Sequence, residues 1–350
     1  MRTAVFWISF ATVVFAFGAA APGAQPGQPA NTQQQQRQPT PTPQQEPQQD
    51  DGQIVRTRIT EVRVPVTVTD KKGNPVTGLK REDFQVFEDK QQQSILGFTG
   101  EITQLEKLPV YVGVLMDTSP SASGKLKFQQ EAALNFMYTV TRSRKDRVAF
   151  LTFDNEVQLR QDFTSNLDHL NRAVSNVKKP GTHTALYDAV WQFCDEKMRS
   201  VGVGGRRVIV IISDGDDTYS RARIEDAIQI AQKTDTIIFA VSTKGGFAYS
   251  AVPGVEGGTV KDTGDKYLER LAEETGGRAF FTGDMLALER AFKKIGEQLR
   301  SQYIVTYKPT NDRFDGSERR IEVKLLSKED GWRVSAKRGY KADRDIIQEK

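Results

Sequence analysis

Residues 110–121 read Val110-Tyr111-Val112-Gly113-Val114-Leu115-Met116-Asp117-Thr118-Ser119-Pro120-Ser121. A short, β-branched, almost wholly apolar run is the signature of a buried strand. It stops at one carboxylate, and two hydroxyls spaced two apart follow in a turn stiffened by Pro120. Taken alone, this is turn and cap chemistry as much as cation chemistry. Two further segments repeat the pattern. The apolar run Val208 to Ile212 ends in Ser213-Asp214-Gly215, and the loop Pro180-Gly181-Thr182-His183-Thr184 opens a helical pattern near Ala185. Together they offer Asp117, Ser119, Ser121, Thr184 and Asp214, an oxygen donor set without thiolate or imidazole. Such donors suit Mg²⁺, with Mn²⁺ or Ca²⁺ as alternatives, and argue against zinc or copper. Two carboxylates with neutral hydroxyls make a partial shell that keeps waters or accepts an outside ligand. The open position is therefore the expected functional one.

Outward from these segments, short apolar runs alternate with amphipathic stretches, which predicts an α/β architecture: a doubly wound, mostly parallel sheet covered by helices on both faces. Phe128, Ala132, Phe136 and Val140 form one helical stripe, Ile224, Ala227, Ile228 and Ala231 another. Leu268, Leu271 and Ala272 form a third, stopped by Gly276-Gly277. The strands expected between them are Val148 to Phe153, Val208 to Ile212, Ile237 to Val241 and Arg278 to Phe281. Asp154-Asn155 turns the first of these into a hairpin with Val157 to Leu159, an antiparallel edge. Ligands of such sheets sit beyond the carboxyl ends of the strands where strand order reverses, and Asp117 and Asp214 are expected there. The Gly-rich insertion Lys244 to Gly264 is long for a strand-to-helix connection and leaves from the same end.

On either side the periodicity changes to two. Val62, Val64, Val66 and Val68 alternate with Arg63, Pro65, Thr67 and Thr69; Ile321, Val323 and Leu325, then Trp332, Val334 and Ala336, alternate likewise. The segments 54–104 and 301–341 are each small for a core of their own. The expectation is one small β-sandwich in which the α/β domain, residues 105–300, is inserted; two separate β caps are the alternative.

The termini read differently again. Arg2, the apolar stretch Ala4 to Phe17 and Ala19-Ala20-Ala21 predict a signal peptide over residues 1–21, the stretch being shorter than the roughly 20 residues that span a bilayer. An uncleaved anchor is the alternative; after cleavage no membrane insertion is expected. Residues 22–53, dominated by Gln and Pro, cannot bury enough apolar surface to order and are expected to form a disordered linker. A net charge of +4, reduced by one without Arg2, gives no footprint for nucleic acid. The single cysteine, Cys194, falls in the buried stripe Leu186, Ala189, Val190, Phe193, so packing is its expected role.

Asp117-x-Ser119-x-Ser121, Thr184 in the context Thr-Ala-Leu-Tyr-Asp-Ala, and Ser213-Asp214-Gly215 resemble the metal-ion-dependent adhesion site of von Willebrand factor type A domains, over roughly Leu108 to Arg300. Glu82-Asp83-Phe84-Gln85-Val86-Phe87-Glu88-Asp89 upstream, and Gln302-Tyr303 with Arg338-Gly339-Tyr340 downstream, resemble the related family of exported bacterial proteins; the insertion resembles that of integrin β chains. The resemblance implies a Rossmann-like sheet, selects Thr184 over Thr182 as threonine ligand, and leaves open whether Asp214 ligates directly or through water. It further implies an exported, non-enzymatic adhesion module, periplasmic, cell-surface or secreted. Its protein partner would complete the metal shell with an Asp or Glu carboxylate. Two alternatives stand beside it. Asp214-Gly215-Asp216-Asp217-Thr218 fits the Asp-x-Asp-x-Thr signature of haloacid dehalogenase-like phosphatases, with Asp214 as nucleophile and Asp216 as acid and base. It follows the fourth strand of its domain where that motif normally follows the first, and it leaves Asp117, Ser119 and Ser121 unexplained. The other alternative is a scaffold with a vestigial metal site. The chain contains no Gly-x-Ser-x-Gly, His-Glu-x-x-His or Cys-x-x-Cys.

Overall fold

Strand and helix boundaries follow the apolar runs closely in the computed structural model, which describes residues 61–100, 108–142, 145–178, 181–202, 204–244, 262–281, 285–326 and 331–342. The expected signal peptide, the Gln/Pro-rich linker and nearly all of the 244–264 insertion lie outside the described residues. In chain order the strands are β1 (Val62–Thr69), β2 (Phe84–Glu88), β3 (Gln91–Gln93), β4 (Ile95–Thr99), β5 (Val110–Asp117), β6 (Arg147–Phe153), β7 (Val157–Thr164), β8 (Arg206–Ser213), β9 (Thr236–Ser242), β10 (Ala279–Phe281), β11 (Tyr303–Tyr307), β12 (Glu318–Leu325), β13 (Arg333–Ala336) and β14 (Gly339–Lys341). The helices are α1 (Leu126–Val140), α2 (Leu167–Ser175), α3 (Leu186–Phe193), α4 (Ile224–Lys233), α5 (Thr263–Glu274) and α6 (Met285–Arg300).

Six strands form one sheet in the order β10-β9-β8-β5-β6-β7. Every pairing is parallel except that of β7, which folds back antiparallel along β6. Strand side chains alternate between two cores. Val110, Val112, Val114 and Met116 face α1, α2 and α6, where Phe136, Val174 and Phe292 pack. Leu115, Ile209 and Ile211 face α3, α4 and α5, where Val190, Ala227 and Leu271 pack. Val208 to Ile212 are completely buried, each burial contributing about 1.5–3 kcal/mol. The predicted helix near Ala185 continues past Phe193 as a π-helical turn, Cys194–Met198. The chain leaves β5 toward β6 and β7 on one side, then crosses back to β8 on the other. Strand order therefore reverses between β5 and β8, where Met116 lies opposite Ile212.

Two four-stranded sheets flank this domain, β13-β1-β11-β4 and β14-β12-β2-β3. Each mixes strands from before and after the α/β region: Val64 pairs with Val305 and Val86 with Val323. Val64, Val66, Phe84, Val86, Tyr303, Val305 and Tyr307 share one core. The alternation of β1 is imperfect, since Thr67 and Thr69 are buried along with the valines. Between this core and the α/β region, Lys337 Nζ lies 2.6 Å from Asp235 Oδ1, and the Arg338 amide donates to the Glu274 carbonyl.

Candidate metal centre

β5, β6 and β8 end side by side at Asp117, Phe153 and Ser213, and the Asp117 side chain between them is 0% exposed. Its two oxygens are held separately. Oδ1 accepts the Ser119 amide at 2.8 Å, and Oδ2 accepts the Ser213 hydroxyl at 2.6 Å. Ser213 Oγ in turn accepts the Gly215 amide at 3.0 Å, so one hydroxyl joins the ends of the two strands at the reversal point. The turn after Asp117 becomes a 3₁₀ segment, Pro120–Lys125, which brings Ser119 Oγ and Ser121 Oγ to 3.0 Å.

The third segment arrives by backbone contacts. Gly181 N donates to the Thr118 carbonyl at 2.8 Å, and the Thr118 hydroxyl donates to Asp154 Oδ2 at 2.8 Å. A Cβ at Gly181 would lie 2.2 Å from Asp154 Cγ, so the approach requires glycine. Thr184 is buried, its amide donating to Thr218 Oγ1 and its carbonyl accepting the amides of Thr218 and Tyr219. Asp217 accepts the Tyr187 amide and the Ser220 amide and hydroxyl, and Asp188 accepts the amides of Arg221 and Ala222. The loop that begins at Asp214 is thereby stapled to the start of α3. Gly215, at φ +84°, packs against the Gly264 carbonyl at the start of α5.

Asp117, Ser119 and Ser121 are thus in one hydrogen-bonded group. Asp214 follows directly on its Ser213 partner, and Thr184 is tied to the group through the Asp214–Ser220 loop. Burial pushes the Asp117 carboxyl up to about 6, the Ser213 and Ser119 hydrogen bonds oppose the rise, and the negative charge of Asp214 adds to it. Among the described residues no lysine or arginine is ion-paired with either carboxylate. Two nearly buried like charges without a counter-cation are costly, and a divalent ion relieves that cost. Among the described residues no group of three His, Cys, Asp or Glu side chains is placed to hold a metal ion, so neutral oxygens of hydroxyls, backbone or water would have to complete any shell. That is the donor chemistry of a hard cation, and the residues fit one.

Thr182 is exposed. His183 is exposed and stacked on Tyr219, and the exposed His169 lends its amide to Asn166, the cap of α2. Cys194 is buried with its thiol pushed up to about 12 by desolvation. Asp216, the second carboxylate of the phosphatase alternative, is exposed and 2.7 Å from Lys244 Nζ, which also reaches Asp262 at 2.7 Å. The parts that Ser213, Asp154, Asp188, Asp217 and Thr218 play in bracing this site are not among the roles read from sequence. Ser213 and Asp188 lie inside the quoted motifs, but which backbone group a short polar side chain meets depends on the loop opposite.

The family described as von Willebrand factor type A domain matches residues 112–294. No curated protein matches the chain. Several solved structures are similar. An aerotolerance-related membrane protein from Bacteroides fragilis is 16% identical, with 54% of this chain and 98% of that one covered at a TM-score of 0.42. The protein BatB from Bacteroides thetaiotaomicron is 16% identical, with 55% and 100% covered at 0.41. Proximal thread matrix protein 1 from the mussel byssus, with a zinc-occupied MIDAS motif, is 15% identical, with 57% and 47% covered at 0.43.

Proposed function

The chain belongs to the von Willebrand factor type A domain family, and from that premise we propose that it is a divalent-cation-dependent binding protein, without catalytic activity, that captures an acidic group of a protein partner. The observation that carries this reading is the pair Asp117 and Asp214: nearly buried carboxylates at the reversal point of the sheet, the first bonded to the Ser213 hydroxyl and the second to the Asp216 amide, and neither ion-paired with a cation among the described residues. In this reading Asp117 supplies the principal charge, Ser119 and Ser121 neutral oxygens from the turn, Thr184 a hydroxyl from the loop before α3, and Asp214 a second carboxylate. A bound Mg²⁺, or Mn²⁺ or Ca²⁺ in its place, supplies an electrophilic centre with room for a foreign oxygen. Hydroxyls do not add negative charge, so two carboxylates only balance a divalent ion and leave it receptive to a partner's Asp or Glu.

The same reading makes residues 1–21 an export signal, residues 22–53 a tether, residues 54–104 and 301–341 the supporting sandwich, and residues 105–300 the binding domain. Among the described residues no helix is long and apolar enough to cross a membrane. Calorimetric titration with Mg²⁺, followed by capture of partners from a cell extract in Mg²⁺ and in chelator, tests the reading. Asp117→Ala is expected to lose both metal and partner while staying folded. A partner held equally well by that variant, or in chelator, would leave only the scaffold alternative.

A further inference from the structure

At the amino ends of β8 and β9, the opposite end of the sheet from Asp117 and Asp214, the α/β region and the sandwich enclose a cavity of about 10 Å³. That is room for one water-sized species. Its polar lining is Arg63 from β1, Arg206 and Arg207 from the start of β8, Asp235 just before β9 and Gln302 just before β11. The rest of the lining is apolar.

Two of these groups are left without partners. Gln302 is 1% exposed, and its Nε2 is buried without a hydrogen bond. The half-buried Arg63 makes no hydrogen bond or ion pair among the described residues. Burial pushes its guanidinium below the ordinary arginine value, and the charge of Asp235 opposes the fall only in part. Arginine stays protonated even so. A desolvated cation and a buried amide donor each carry a cost, which an acceptor seated against both relieves.

Charge and size together select that acceptor. The lining holds three guanidiniums and one carboxylate. Arg206 donates to the carbonyls of Leu299 and Leu108, and Arg207 to those of Met198 and Val201, bonds that fix both groups and bring no negative charge. Asp235 already accepts the Lys337 ammonium at 2.6 Å. Those two charges offset each other, and the arginines set the sign of the potential. A water would accept hydrogen bonds here but would also have to place its own two hydrogens, with Asp235 as the one carboxylate in the lining to receive them. An anion accepts from every side and offsets the excess charge. Phosphate and sulfate exceed the volume, which leaves a monatomic ion.

We propose that Arg63 and Gln302 hold a halide, chloride under ordinary conditions, in this cavity, where it joins the sandwich to the first residues of β8. The site is independent of the metal-dependent reading, so its test is run in EDTA.

Thermal unfolding of the full chain is followed as chloride rises from none to about 200 mM, with gluconate holding the ionic strength constant. The midpoint is expected to climb by about 2–4 °C and to saturate, as mass action on one site requires. The folded parent is also expected to broaden the ³⁵Cl NMR line, and added bromide to narrow it again by competition. Arg63→Gln and Gln302→Leu are each expected to remove the chloride-dependent climb and the bromide-sensitive broadening. Melts of the parent that coincide in chloride and gluconate, or a ³⁵Cl line that bromide leaves unchanged, overturn the proposal and leave water as the occupant. A climb that folded Arg63→Gln retains in full overturns it as well, by placing the chloride elsewhere.

Discussion

At Asp117 the balance of forces is unusual for a carboxylate. Burial raises its pKa from 3.8 to about 6, so the metal-free folded protein takes up a proton more readily than the unfolded chain does. The favourable contribution of this group is complete below pH 3.8 and is lost as pH rises through about 6. Asp117→Asn keeps acceptor and donor for Ser119 and Ser213 while removing the buried charge. In chelator at pH 7.5 it is expected to be more stable than the parent by roughly 1–3 kcal/mol, an advantage that shrinks at pH 4, and to gain nothing from Mg²⁺. Denaturant melts of both proteins, with and without Mg²⁺, measure this; a variant less stable in chelator contradicts the argument. Ser213 makes a related prediction. Ser213→Ala deletes the hydroxyl bonded to both Asp117 and Gly215, and the expected result is a Mg²⁺ affinity lowered about 10-fold or more with a stability loss near 1–2 kcal/mol. The candidate donor types were legible in the sequence because carboxylates and hydroxyls at strand ends are few. The partner of each was not, since Ser213 sits 96 residues from Asp117 and only the register of β5 with β8 brings them together.

Helices and strands were legible where packing imposes a period. Four of the six helices among the described residues show apolar repeats at three and four. In α2 the buried residues are Leu170 and Val174 alone, and its start is set by the Asn166 side chain accepting the Asp168 and His169 amides, a local bond that periodicity does not register. In α6 the stripe Leu288, Phe292, Ile295 and Leu299 is real, but Leu286 beside it is 57% exposed and blurs the pattern. Strand β7 runs to Thr164 rather than stopping at Leu159, because an edge strand carrying Arg160, Gln161 and Asp162 needs no apolar alternation. The staple between α3 and the Asp214 loop is likewise polar. Asp188→Ala removes the acceptor for the Arg221 and Ala222 amides. Those two amides are expected to exchange with deuterium at least tenfold faster, and Mg²⁺ affinity to fall although residue 188 is not a proposed ligand. Unchanged exchange would mean that the loop is ordered by Asp217 and Thr218 alone.

Across the whole molecule, both flanking sheets combine strands from before and after the α/β region, alternating in β13-β1-β11-β4 and meeting at β12-β2 in the other, so neither end of the described chain can form its sheet alone. β1 finds both of its neighbouring strands at the far end, β11 and β13, and β2 pairs with β12. This interleaving was legible as two half-sized β segments, but the pairing was not, because alternation sets which face is buried and not which strand lies beside it. Lys337 then ties this core to the α/β region, its ammonium buried against Asp235 and reaching the Gln232 carbonyl. Lys337→Ala removes the ion-pair partner of the Asp235 carboxylate, about a fifth exposed, and leaves Arg63 as the cation whose charge still acts on it, a change expected to cost about 1–3 kcal/mol. Lys337→Met, which restores the volume without the charge, should cost about as much if charge is the cause and much less if packing is. Calorimetric unfolding of the two variants separates these, and a single shared transition in the parent that splits in Lys337→Ala would locate the loss at the junction between sandwich and α/β sheet. A parent that already melts in two steps would show that this ion pair does not couple them.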